Sequence, residues 1–391
     1  MKNELSYVLI TPYSVQKSRT GGVIARLLSR TDLELVGAKM FSPTQEFVDV
    51  YAELVKKTNS TTPNETLNLI SSYIKENFAP ANGRYHRVMM LLFKGDDASK
   101  KLFDVVGHIK PGIRTGETIR DTYSDYILNG DGSVRYFEPA VIVGPNFDKN
   151  SELVNEEMQL ITDFLNEQTN IIDKPLQITE NDSDKRTLVI IKPDNWRYPS
   201  SRPGNVIDML SKTGLRIVGC KLYRMSVEEA LEFYGPVKGV LREKLSPKIG
   251  EKAKNLLEKE FDIKLDESRL KDLINTVGVT FADDQFSQIV EFMSGIRPDD
   301  CKSSELPLPG KVKSLVLIYQ GENAVEKIRK VLGPTDPTKA PGGTVRRDFG
   351  TNVMVNTAHA SDSFENAQRE MNIIKIEKNN ICSIIDSTLS K

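Results

Sequence analysis

The residues with the clearest capacity for chemistry lie close together near the end of the chain. They are Gly333-Pro334-Thr335-Asp336-Pro337, Gly342-Gly343-Thr344-Val345-Arg346-Arg347-Asp348 and Asn356-Thr357-Ala358-His359-Ala360-Ser361-Asp362-Ser363. A neutral imidazole such as that of His359 is a competent nucleophile near neutral pH. Asp362 followed by Glu365 is a capping-box pattern, and Ala367 and Met371 continue an apolar stripe at helical spacing. A helix is therefore predicted to start beside the histidine, where free backbone N–H groups and the positive dipole end favour a bound or covalently attached phosphate. Arg346 and Arg347 sit upstream on a loop whose glycines let backbone approach a ligand, and guanidinium groups pair naturally with phosphate oxygens. A single histidine before a helix is more often a cap or a surface residue. The set as a whole points to phosphate chemistry.

These side chains need elements to hold them. In the C-terminal half the pattern reads as a strand at 188–192 ending on Lys192, a helix at 204–212, a strand at 215–224 and a short helix at 227–234. A strand at 314–319, a helix at 323–332, a strand near 352–356 and the helix from Ser363 follow. The same order occurs earlier. Tyr7-Val8-Leu9-Ile10-Thr11-Pro12 echoes Leu188-Val189-Ile190-Ile191-Lys192-Pro193, and Leu33 to Lys39 echoes Leu215 to Lys221. Residues 95–120 align without a gap on 321–346, pairing Gly107 with Gly333 and Arg120 with Arg346. The chain therefore reads as a tandem duplication, copies 1–167 and 186–376, with a polar linker between 168 and 185. Alternating strand and helix segments make each copy an α+β, ferredoxin-like βαββαβ domain. The second copy carries a helical insert at about 243–312, with amphipathic stretches at 249–261 and 267–277; a packing ornament is the more frequent explanation of such an insertion, and a lid or a partner surface is the alternative.

The succession Arg329, Leu332-Gly333-Pro334-Thr335-Asp336-Pro337, Gly343-Thr344-Val345-Arg346, Asn356-Thr357-Ala358-His359 and Ser361-Asp362-Ser363 resembles the active-site signature of nucleoside diphosphate kinases. Leu188 to Asp194 resembles that family's first strand and its lysine. Several motifs in the right order are far more specific than a lone glycine-rich loop. The resemblance implies ping-pong transfer of a γ-phosphoryl group from a nucleoside triphosphate to His359 and on to a nucleoside diphosphate. It implies Lys192, Arg329 and Arg346 around the β and γ oxygens, with Mg²⁺ bridging the phosphates. Thr335 would donate a hydroxyl to phosphate, and Lys192 and Asn356 would contact the sugar. Ser361 and Glu370 would orient the imidazole, and Tyr234 would stand near it. A homo-oligomer, or pairing of the two copies within the chain, is also implied.

Some positions depart from the family pattern. The usual base-stacking Phe is absent after Tyr234, where Val240-Leu241-Arg242 stands, so Leu241 is the candidate apolar face. Ala360 replaces the glycine after the histidine, which predicts modest backbone strain and slower reaction. In the first copy Thr11 stands for Lys192, Phe103 for Arg329 and Ile109 for Thr335, and matching Glu157-Met158 to Glu370-Met371 puts Asn146 opposite His359. Neither His86 nor His108 aligns with His359. That copy is predicted to be catalytically dead.

Composition bounds the rest. At 391 residues the chain can bury two cores, and 53 basic against 54 acidic residues give no global field for nucleic acid or a membrane surface. The longest wholly apolar run, Val88 to Phe93, is too short to span a bilayer, and no signal-like segment follows Met1, which predicts a cytosolic protein. Three separated cysteines and three histidines argue against a structural zinc site. Three readings follow: a nucleoside diphosphate kinase with one working site, a different phosphotransferase using the same histidine, or a non-enzymatic nucleotide-binding scaffold. Tandem copies resemble the branch of the family found in cilia and flagella, which would place such a scaffold on axonemal microtubules.

Overall fold

The structure, a computed structural model, describes residues 3–58, 63–110, 112, 115–145, 151–176 and 186–389. Its strands are β1 (Asn3–Ile10), β2 (Glu34–Phe41), β3 (Val88–Asp96), β4 (Asp125–Leu128), β5 (Val134–Glu138), β6 (Val141–Gly144), β7 (Arg186–Ile191), β8 (Arg216–Tyr223), β9 (Ser314–Gln320) and β10 (Ala358–Ala360). Eight form one sheet in the order β10-β7-β9-β8-β2-β3-β1-β6, and β4 and β5 pair as a separate hairpin. In each half the first strand lies between the third and the last, and the second strand lies at the inner end. That is the ferredoxin-like arrangement expected from the sequence. The two halves meet where Lys39 of β2 pairs with Lys221 of β8.

The chain packs as two compact units, Met1–Leu222 with Leu315–Lys391, and Tyr223–Ser314. Both halves of the sheet belong to the first. The second is helical and encloses the expected insert: a long helix Gly235–Phe261 with Pro247 inside it, a helix Glu267–Leu273, a π-helical stretch Ile274–Gly278, and a helix Val279–Ser294. The stretch expected as one helix over 267–277 thus changes its winding after Leu273. No helix of the described residues is long and apolar enough to cross a membrane.

Alternation in β1 divides its side chains between two cores. Val8 and Ile10 join one with Leu91 and Phe93, while Leu5, Tyr7 and Leu9 join the other with Met90 and Leu92. A sheet covered on both faces reads as a continuous apolar run. The first of these cores continues across the midline through Val189, Ile191, Val206, Leu315 and Leu317. It is closed there by helix Thr20–Arg30 lying against helix Arg202–Ser211. A Cβ on Gly204 would lie 2.3 Å from Gly21 O and Ala25 N, so glycine is what lets these two backbones approach.

The midline is nearly symmetric in its chemistry. Buried Lys39 donates to Leu165 O (2.8 Å) and Gln168 O (2.9 Å), and buried Lys221 donates to Ile374 O (2.9 Å) and Lys375 O (3.2 Å). Each ammonium thus meets carbonyls at the C-terminal end of a helix, Ser151–Glu167 or Phe364–Ile373, where a cation is favoured. The segment after each half also crosses to the other: Ile171 bridges Gly219 of β8, and Asn379 donates to Ala38 O of β2 (3.0 Å). The segment after Asn379 forms helix Ile381–Leu389 and buries Ile381 and Ile385 in the first half's core.

Candidate functional site

His359 lies in β10, opposite Ile190 of β7. This corrects the expected strand at 352–356, which folds into turns instead: Asn352 Oδ1 accepts from Met354 N (2.9 Å) and Val355 N (2.8 Å), drawing the chain round before the strand begins. Ala360 is part of that strand, paired with Val189, so the strain expected there is absent. Left-handed backbone occurs instead at buried Thr357, with φ 75°. The following helix, Phe364–Ile373, is capped by Ser363, whose side chain accepts from Asn366 N (3.1 Å). The expected cap Asp362 lies one residue too early for that bond and accepts from the Asn366 side chain (2.6 Å).

This helix brings Glu370 back to the strand. Its Oε2 lies 3.0 Å from His359 Nε2 and accepts from Ser361 Oγ at 2.6 Å. Glu370 and Ser361 are buried, and the imidazole is half-buried. The expected trio of His359, Glu370 and Ser361 is therefore assembled in one place. Arg369 Nη2 stands 3.9 Å from the second carboxylate oxygen.

A second group gathers at the end of β7. Lys192 Nζ donates to Asn356 Oδ1 (2.7 Å), and the Asn356 amide donates to Thr335 O (3.1 Å). Arg346 donates to Gly333 O (2.8 Å) and to Ala358 O (3.0 Å), the residue before His359, so the two groups are contiguous. Burial, with Arg346 nearby, pushes the Lys192 ammonium down to about 8 against the opposing pull of Asp194. Arg329, Lys330, Thr335, Thr344 and Arg346 line a cavity of about 250 Å³. Three donors that suit phosphate oxygens, Arg329, Thr335 and Arg346, thus share one space. Among the described residues no cluster of His, Cys, Asp or Glu could hold a metal ion.

Tyr234 and Leu241 belong to the helical unit. Tyr234 is buried where helix Val227–Phe233 gives way to Gly235–Phe261, and Leu241 is half-buried on the latter. Sequence reasoning missed Arg202, Asn195 and Asp194, which bond to one another or to the turn before His359. The signal available was weak: Asp194 follows the Lys-Pro pair directly, but nothing in spacing ties Arg202 to it.

In the matching region of the first half, buried side chains bond to one another. Ile10 pairs with Val141 as Ile191 pairs with Ala358, and Ala140 shares the left-handed conformation of Thr357, with φ 63°. Arg120 donates to Gly107 O (2.6 Å) and Val141 O (3.1 Å), as Arg346 does to Gly333 O and Ala358 O. Register therefore sets Ile142 at the position of His359, a correction to the match with Asn146, which lies outside the described residues. Counting back from Glu157-Met158 fails because the segment before that helix is longer in the first half. Glu157 is buried against phenols: Tyr7 donates to it and lies 2.9 Å from the Tyr51 hydroxyl. Thr11, standing for Lys192, donates to buried Glu138 (2.8 Å), which also accepts from Tyr73. An acid at that place disfavours phosphate.

The family model described as nucleoside diphosphate kinase matches residues 310–379. A nucleoside diphosphate kinase from a Nitratiruptor species is 30% identical over 187 residues, covering 48% of this chain and 92% of that protein. One from Dehalococcoides mccartyi is 29% identical over 189 residues, covering 48% of this chain and 90% of that protein. A solved structure of the Aquifex aeolicus nucleoside diphosphate kinase has 26% identity and a TM-score of 0.30, covering 49% of this chain and 94% of that one.

Proposed function

We propose that this chain, which belongs to the nucleoside diphosphate kinase family, carries the γ-phosphoryl group of a nucleoside triphosphate to a nucleoside diphosphate on His359. The observation that carries this reading is the contact of His359 Nε2 with Glu370 Oε2 at 3.0 Å, beside the Arg346 bond to Ala358 O. An ionised carboxylate only accepts hydrogen bonds, so Nε2 bears the ring proton and Nδ1 holds the lone pair in the neutral imidazole. In the first half-reaction a bond forms from Nδ1 to the γ-phosphorus as the bond from phosphorus to the β-bridging oxygen breaks. The electron pair leaves with the diphosphate. The ring becomes cationic, and Glu370, fixed by Ser361, offsets that charge. A second diphosphate then attacks the phosphohistidine and restores the neutral ring. Asn356 with Lys192 meets the sugar. Mg²⁺ bound to the incoming nucleotide would spread the charge of its phosphates, which Arg329, Arg346, Thr335 and Lys192 would hold.

In this reading residues 186–376 form the working copy and 1–167 a partner that stands in for a second subunit, in a cytosolic phosphotransferase. Incubation with γ-labelled ATP and Mg²⁺ should leave acid-labile, alkali-stable label on the chain, and added GDP should remove it as GTP. ATP bound without any label would sink the enzymatic reading in favour of a scaffold.

Lys192 supplies a pH dependence. Its pKa is lowered in the folded chain to about 8, so the protein holds fewer protons than the unfolded chain above that value, and the lysine's burial penalty fades as pH rises from about 8 toward the ordinary lysine range. Phosphate oxygens favour the ammonium form. Affinity for ADP is therefore expected to be flat below about pH 8 and to fall by up to roughly tenfold per pH unit above it, with proton uptake on binding. Calorimetry in buffers of different ionisation enthalpy reads both. In Lys192→Met the slope should vanish, and a slope that persists would remove Lys192 from the phosphate site.

A further inference from the structure

We propose that Arg202 is a positioning residue, whose guanidinium locks Thr357 in the left-handed conformation from which Asn356 and His359 are presented. The inference rests on the phosphoryl-transfer reading of the same site. Thr357 is buried and β-branched, and at φ 75° it occupies a region that costs such a residue energy unless its surroundings hold it there. Its carbonyl accepts from Lys192 N (2.9 Å) and Asn195 Nδ2 (2.8 Å), and its hydroxyl bonds with Arg202 Nη2 at 3.0 Å. The same nitrogen donates to Phe349 O (2.5 Å) and lies 3.0 Å from Asp194 Oδ2, while the guanidinium sits 5.9 Å from the Phe349 ring.

Three segments converge on that one cation. Phe349 ends the short helix Val345–Phe349 that carries Arg346, Asp194 follows the Lys192-Pro193 step, and Thr357 joins Asn356 to the strand of His359. Arg202 does not line the cavity that holds Arg329, Thr335 and Arg346, so it acts through other residues. The first half offers a contrast. Ala140 has the same conformation there, and the carboxylate of Glu138 holds it by accepting from Ala140 N at 3.1 Å. The left-handed residue is thus held by a carboxylate in the first half and by a guanidinium in the half that would bind anions.

Removing Arg202 alone would leave the buried carboxylate of Asp194 without its ion-paired partner, so the test uses Asp194→Asn/Arg202→Met, with and without Thr357→Gly. Displacement of the turn is expected to lower turnover by about 10²-fold. Amide exchange at Ala358 and His359 should accelerate in the same variant. Glycine adopts positive φ without help, so adding Thr357→Gly should restore about tenfold of the turnover and slow that exchange. Unchanged turnover and exchange in Asp194→Asn/Arg202→Met would overturn the assignment, as would a loss that glycine does not repair. Should the unaltered chain transfer no phosphoryl group, the enzymatic reading falls, and exchange at Ala358 and His359 still decides whether Arg202 holds the turn.

Discussion

Replacing His359 by alanine is expected to abolish labelling from γ-labelled ATP and to lower phosphoryl transfer by about 10⁴-fold or more, the scale seen when a covalent nucleophile is removed. The chain should remain folded. His359 is half-buried and its ring is bonded to Glu370, which keeps Ser361 as a donor when the imidazole is gone. Nucleotide binding should survive, because Arg329, Thr335 and Arg346 line their cavity without the histidine. The measurement is a single-turnover labelling time course beside an ADP titration. Label that persists on the alanine variant would place the phosphoryl carrier elsewhere.

Glu370→Ala should slow labelling by about 10²- to 10⁴-fold, by analogy with the loss of a carboxylate that fixes a catalytic imidazole's tautomer. Glu370 Oε2 sits within hydrogen-bond reach of both His359 Nε2 and Ser361 Oγ, so its removal frees the ring to take either tautomer and withdraws the counter-charge from the cationic state. The effect should fall on kcat, with KM for the nucleotide little changed. Glu370→Gln keeps one oxygen that can accept from both partners while losing the charge and the second acceptor, so it should retain more activity than alanine. Equal rates for alanine and the unaltered chain would separate the carboxylate from the chemistry, and a pure KM effect would make it a binding group.

Much of the site was legible in sequence because each of its parts is a local pattern. Lys192 ends an apolar run, Arg346 follows a glycine pair, and His359 lies between Asn356 and a capped helix; their order matches one family. Local patterns also explain the errors. Asn352 satisfies neighbouring amides with its own side chain, so a segment with strand-like valines turns instead, and Ser363 displaces Asp362 as the cap by lying one position closer to the helix. The match of Asn146 to His359 failed across a segment of altered length, where spacing holds no information and only strand register does.

Arg202 was invisible for a different reason. Its partners Asp194, Phe349 and Thr357 are spread widely along the chain, and no spacing rule connects them. The cluster of Tyr7, Tyr51 and Glu157 in the first half was equally hidden, since three ordinary core or helix residues come together only when β1 meets the later helix.

By itself the sequence determined which side chains can act on phosphate and how strands and helices alternate in each half, because reactivity belongs to residue type and periodicity to neighbours a turn or a pleat away. Tertiary structure alone decided that β2 meets β8 to make one sheet, that tails exchange between its halves, and that a guanidinium distant in sequence grips Thr357. These depend on apolar burial and hydrogen-bond completion among residues far apart along the chain, energies that no local pattern encodes.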